Sequence, residues 1–123
     1  MNNLNIYKTA SNIETDKNKL VLLLFEELLK SLFLIKKTEA NDIEFKVNKI
    51  NHCLDIFDEL KNSIHIIKGN QKSEDMGFYL EGLYNQQIIN LYDFSKSHSD
   101  EKILEIITVV KGLIEVWNTI VKQ

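Results

Sequence analysis

Three histidines, one cysteine and a spread of carboxylates are the side chains of this chain with the chemistry for catalysis or metal binding. His52, His65 and His98 each lack a glutamate three residues earlier. The Glu-x-x-His pattern that lets facing helices hold a pair of iron ions is therefore missing. Cys53 has no cysteine or histidine at a zinc-site spacing. No glycine-rich loop follows a strand to cradle a phosphate. Serine, histidine and aspartate all occur, but nothing in their order places them as a nucleophile, base and orienting acid. The expectation is a chain with no catalytic residues, no metal and no cofactor, in which these side chains serve surfaces and helix caps.

One motif carries possible chemistry. His65-Ile-Ile-Lys68-Gly69 is similar to the His-x-x-Lys-Gly signature of histidine phosphotransfer domains, which are also small helical bundles. Lys68, one turn on, could steady a phosphoryl group there, and Met76-Gly77-Phe78 adds a faint echo of the same family. Against this, Gly69 to Glu74 reads as a polar helix break. The plainer reading is a histidine near a helix end, where a cation is favourable.

By length, 123 residues make one domain. Hydrophobic residues at 44% are enough for a core, and charged residues at 27% cover a surface. A net charge of -3 gives no general attraction for nucleic acid or anionic membrane. The apolar run Leu20 to Leu34 is too short to span a bilayer and carries Glu26, Glu27 and Lys30. Met1 to Asn5 lack the basic start and apolar stretch of a signal peptide. A single cysteine excludes an internal disulfide and fits a reducing cytoplasm. There is no proline and there are only four glycines, which favours long helices with few corners.

Apolar periodicity predicts four helices, at about 17–37, 42–68, 73–94 and 100–121. Short connections make neighbours antiparallel. The fold class expected is all-α: an antiparallel four-helix bundle with a short N-terminal capping segment or helix (1–15). Asp16 is the expected N-cap of the first helix, Asn41 with Glu44 a capping box for the second, and Gly69-Asn70 its stop. The second helix offers Ile43, Val47, Ile50, Leu54, Phe57 and Ile64 as a core seam. The third offers Met76, Leu80, Leu83, Ile88 and Leu91. The fourth offers Ile103, Ile106, Val110, Leu113, Trp117 and Ile120.

The first helix is different. At 100° per residue, Leu24, Ile35, Leu28, Val21, Leu32 and Phe25 form an ordinary core stripe. Leu29, Leu22 and Phe33 widen that arc, and Leu23 and Leu34 lie beyond the charged strip of Glu26 and Lys30. Such a helix is either central or has a face waiting for a partner. Ahead of it, Ile6 and Tyr7 form an isolated apolar pair in a polar leader, able to dangle or to fill a surface groove.

The chain resembles the flagellar secretion chaperone family (FliS) from about Ile6 to Ile120. Ile6-Tyr7 stands where the family has Ala-Tyr. Leu20-Val-Leu22-Leu-Leu24-Phe25 matches its Leu-x-Leu-x-Leu-Tyr without a gap from the tyrosine. Ile56-Phe-Asp-Glu59-Leu60-Lys-Asn-Ser63-Ile64 is close to Ile-Ile-x-Glu-Leu-x-x-Ser-Leu. Leu80-Glu-Gly-Leu83-Tyr84 matches Leu-x-x-Leu-Tyr, and Leu104-Glu105-Ile106 with Val116-Trp117 matches the last helix. Departures mark a divergent member: Asp16-Lys17 for Ser/Thr-Pro, Glu26-Glu27 for Asp-Gly, Ile89-Asn90-Leu91 for the arginine-bearing motif, Phe94-Ser95 for Ala-Asn and Ile114 for Arg.

The resemblance implies a cytoplasmic, non-enzymatic export chaperone. It would bind the C-terminal segment of flagellin as helices in apolar grooves, prevent premature polymerisation and assist flagellar type III secretion. The export gate is a possible second partner, and the expected state is monomer or weak dimer. Together with the surplus arc, the resemblance nominates a groove and lid of Ile6, Tyr7, Leu20, Leu22, Leu23, Phe25, Leu29, Phe33, Leu83, Tyr84 and Trp117. The alternatives are a phosphotransfer domain using His65, or a plain dimerising bundle.

Overall fold

The computed structural model describes residues 14–39, 41–66 and 71–121. Ile6 and Tyr7 lie outside the described residues, as do Lys68 and Gly69. Four helices pack as an antiparallel bundle: α1 (Glu14–Lys37), α2 (Ile43–Asn62), α3 (Gln71–Ser97) and α4 (Asp100–Val121). There is no strand among the described residues. Helix α1 packs on α2 and α4, and α3 packs on the same two. The helices thus form a four-membered ring with α1 and α3 on the diagonal.

The helix ends follow local chemistry. Helix α1 already includes Asp16, so the expected cap lies inside the helix. At its other end the Thr38 hydroxyl donates to the Leu34 carbonyl at 2.6 Å, beside Lys36 and Lys37 at the negative end of the dipole. Helix α2 is capped by Asp42 rather than Asn41: the Asp42 carboxylate accepts the Phe45 N–H at 3.4 Å. Regular α geometry stops at Asn62, short of the expected 68. Ser63 caps there, its hydroxyl donating to the Leu60 carbonyl, and Ser63–Ile66 tighten into a 3-10 turn.

Helix α3 continues to Ser97, so only His98 and Ser99 join it to α4. His98 takes φ 53°, and its N–H donates to the Phe94 carbonyl at 2.7 Å. This is the left-handed cap that glycine usually supplies. The imidazole packs edge-on to the Phe94 ring at 5.9 Å.

Aromatic contacts set the register. Phe25 of α1 meets Trp117 of α4 edge-on at 5.3 Å, and across the diagonal it meets Tyr84 of α3 at 6.3 Å. Tyr84 also meets Phe57 of α2. At the far end, Lys46 of α2 places its ammonium 6.0 Å from the Phe94 ring centroid. The core stripe of α1 is buried as expected, and so are Ile103, Ile106, Val110, Leu113 and Trp117 of α4. Helices α2 and α3 differ from expectation. Ile43 is 61% and Val47 48% exposed, while Lys46 is buried; Met76 is also exposed, while Tyr84, Gln87, Asn90 and Phe94 are buried. Lys46 occupies a core position by burying its methylene stem.

Candidate functional site

A four-helix ring has four surface seams, and here they differ in chemistry. The α1–α2 seam is bridged by a polar pair, Glu27 Oε1 to His52 Nε2 at 3.2 Å, both about one-third exposed. The α3–α4 seam is an open groove of about 670 Å3 in which amide and charged side chains alternate with apolar surface. Gln86 donates to Asn90, and Asn90 donates to the buried Gln87. Lys102 and Glu105 line its α4 side, with Leu104 and Val109 beside them.

The other two seams are apolar. Along α1–α4, Leu22, Leu29 and Phe33 are half-buried and pack on the core beside Ile114 and Val121. The Lys111 ammonium lies 5.3 Å from the Phe33 ring centroid. The same antiparallel register sets Leu29 level with Ile114 and Leu22 level with Val121. Along α2–α3, helical periodicity turns Ile43, Val47 and Leu54 toward α3, and Ile88 and Tyr92 toward α2. Leu54 and Ile88 are half-buried, and Tyr92 is 55% exposed. The two apolar seams sit on opposite sides of the ring.

The nominated residues divide between interior and surface. Leu20, Phe25, Tyr84 and Trp117 are buried in the bundle and contribute no surface in this arrangement. Leu22, Leu29 and Phe33 edge the α1–α4 seam. Leu83 is half-buried on the α4 side of α3, and Leu23 is 51% exposed beyond the charged strip of α1. The wide arc of α1 is therefore mostly taken up inside the bundle, between α2 and α4. Ile43, Val47 and Met76 are exposed although the sequence pattern assigns them to the core, and Tyr92 is an exposed side chain that the pattern does not assign. The signal available for the first two was that Lys46, Ile50, Cys53, Phe57 and Leu60 form a competing helical stripe.

The interior between the seams is a continuous apolar core. Burial pushes the Cys53 thiol up to about 12; nearby Lys49 pulls the other way, and Glu27 adds slightly to the rise. Burial also pushes the Tyr84 phenol up. The Trp117 indole N–H and the Ser31 hydroxyl are buried without a hydrogen-bond partner among the described residues. Such an orphaned group costs roughly 1–3 kcal/mol. Among the described residues no cluster of three or more His, Cys, Asp or Glu could hold a metal ion. Nor is any helix among them long and apolar enough to cross a membrane. His65 lies in the 3-10 turn Ser63–Ile66 that follows α2, not within a regular α-helix.

The family model described as "Flagellar protein FliS" matches residues 1–123. The chain belongs to the FliS family. It is also similar to the flagellar secretion chaperone FliS of Campylobacter jejuni subsp. jejuni serotype O:6 (strain 81116 / NCTC 11828). The two are 33% identical over 103 residues, which cover 83% of this chain and 77% of that relative. The bundle is thus that of a flagellar secretion chaperone family.

Proposed function

We propose that this FliS-family chain is a cytoplasmic, non-enzymatic chaperone for flagellin. It holds the C-terminal segment of flagellin as helices in its apolar seams, keeps that segment from polymerising early, and hands it to the flagellar export gate. The observation that carries this reading is the row of half-buried apolar side chains left along two opposite seams of the ring, Leu22, Leu29 and Phe33 on one and Leu54 and Ile88 on the other. A client helix with one apolar face gains by covering Val47, Leu54, Ile88 and Tyr92, or Leu22, Leu29 and Phe33, at about 25 cal/mol per Å2. Part of that gain offsets the ordering of a client that is unfolded when free, so affinity stays finite and release remains possible.

In this reading Ile6 and Tyr7 cover part of a seam when no client is present. Leu20, Phe25, Tyr84 and Trp117 shape the seams from beneath.

The test is calorimetry and circular dichroism with a peptide from the C-terminal region of the organism's flagellin. Near one-to-one binding with a gain of helix is expected; no binding with tens of micromolar protein would refute the reading. Deleting Met1 to Lys8 should leave the bundle folded and change client affinity. A deletion variant that unfolds would instead make Tyr7 part of the core.

A further inference from the structure

The α1–α4 seam is apolar along its length, but charge is unevenly spread along its rims. Lys111 of α4 holds its ammonium 5.3 Å from the Phe33 ring centroid. On α1, Lys36 follows Phe33 by one turn and shares the rim of Leu29, seven residues earlier. The register that sets Leu29 level with Ile114 brings the two lysines to the same end of the seam, about one turn apart along its axis. Both are exposed, and among the described residues neither meets a carboxylate at ion-pair distance. Two exposed carboxylates flank the seam nearer its other end. Glu26 shares the rim of Phe33, two turns before it, and Glu115 stands one turn beyond Lys111.

The dipole of α1 accounts for Lys36, which sits in the last turn of that helix. It does not account for Lys111, which stands midway along α4. Lys111 instead places an unpaired cation over an aromatic ring that edges the seam.

We propose that the α1–α4 seam reads the direction of the helix docked in it. The occupant is the last helix of the flagellin C-terminal segment, an assignment that rests on the flagellin reading. It lies parallel to α1, with its final turn and terminal carboxylate at Lys36 and Lys111 and its first turn beside Glu26 and Glu115. A helix carries partial negative charge at its C-terminus and partial positive charge at its N-terminus, so this direction matches both ends of the seam and the reverse mismatches both. A segment at the end of its chain adds the full charge of its α-carboxylate where the two ammonium groups lie. From Leu22 to Lys36 the seam is about 21 Å long, room for a helix of about fourteen residues. Such a helix is marginal alone in water and forms on docking. Apolar contact supplies the affinity, and the rim charges choose the orientation.

Calorimetry of the full chain with two N-acetylated peptides of the flagellin C-terminal segment tests this. One ends in a free carboxylate and the other in an amide, which removes the terminal charge. The acid should bind about three- to tenfold more tightly at low salt. The two should converge in about 1 M salt, where the screening length is roughly 3 Å. Lys36→Gln and Lys111→Gln should each reduce the difference, and together abolish it in a chain whose circular dichroism is unchanged. Lys96→Gln, at an exposed position of α3, should keep it. Equal binding of acid and amide to the native chain overturns the proposal, and so does a difference that persists in the double variant. Either result leaves the flagellin reading standing, whereas failure of both peptides to bind removes both.

Discussion

Phe25→Ala separates a core role from a client-contact role at the residue where the two readings meet. Phe25 is fully buried, with Trp117 edge-on at 5.3 Å and Tyr84 at 6.3 Å. Truncating a buried phenylalanine costs about 3–5 kcal/mol, part of which is the loss of its ring contacts. Alanine's better helix propensity returns at most about 0.5 kcal/mol. A net loss of about 4 kcal/mol is a large share of the roughly 5–15 kcal/mol expected for a small domain. Urea unfolding followed by Trp117 fluorescence should show a midpoint lower by about 2 M at an m of about 2 kcal/mol/M. Tyr92→Ala should do the reverse. Its ring is 55% exposed, so stability should move by about 0.5 kcal/mol or less. Client affinity should fall about tenfold, since covering half of a tyrosine's roughly 200 Å2 is only partly recovered on binding. If Phe25→Ala left stability within about 1 kcal/mol while abolishing client binding, Phe25 would be meeting the client directly, and the bundle would have to open to admit it.

Gly112→Ala should stabilise the bundle by about 0.5–1 kcal/mol in thermal unfolding, because its Cβ enters open space and removes a mid-helix glycine. His98→Gly should raise stability by up to about 1 kcal/mol by relieving the left-handed backbone at φ 53°, less whatever the ring contact with Phe94 contributes. Alkaline unfolding should show the buried thiol. The folded state holds the Cys53 proton up to about 12, against 9.0 for an unburied thiol, so its contribution is complete below 9 and lost as pH rises toward 12. Stability measured across that window should fall by up to about 1.4 kcal/mol per pH unit from this group, and Cys53→Ala should flatten the slope.

Legibility in the sequence varied with how much else competed for each stripe. Helix α4 was readable because Ile103, Ile106, Val110, Leu113 and Trp117 form one unambiguous arc, and those five are buried. Helix α2 offered two arcs. Ile43 and Val47 are the more apolar, yet the core took Lys46 through its stem, because the register against α3 places Phe94 beneath it. In α3, Gln87 and Asn90 are buried although they are polar, and the Asn90 amide donates to the Gln87 carbonyl. The capping of α2 by Asp42 and not Asn41 was a choice between adjacent residues with the same capacity. The surplus face of α1 was legible as a surplus. Its destination was not, since that depends on which helices become neighbours, and α4 claims Leu22, Leu29 and Phe33.

The opposed placement of the apolar seams constrains what kind of client fits. The α1–α4 and α2–α3 seams lie on opposite sides of the ring. A single straight helix can occupy one of them, and a segment using both must cross an end of the bundle. With helices about 10 Å across, that crossing spans roughly 20 Å, or at least about six extended residues. A client peptide with two amphipathic helices separated by such a linker should therefore bind much more tightly than either helix alone. Its second docking step is intramolecular, at an effective concentration in the millimolar range. Shortening the linker to about three residues should return affinity to that of the stronger single helix, because both seams can no longer be reached at once. Titrations of the three peptides with the same protein decide the matter. Equal affinity for the linked and single-helix peptides would mean that one seam does all the holding, and Val47→Asp against Phe33→Asp would then show which one.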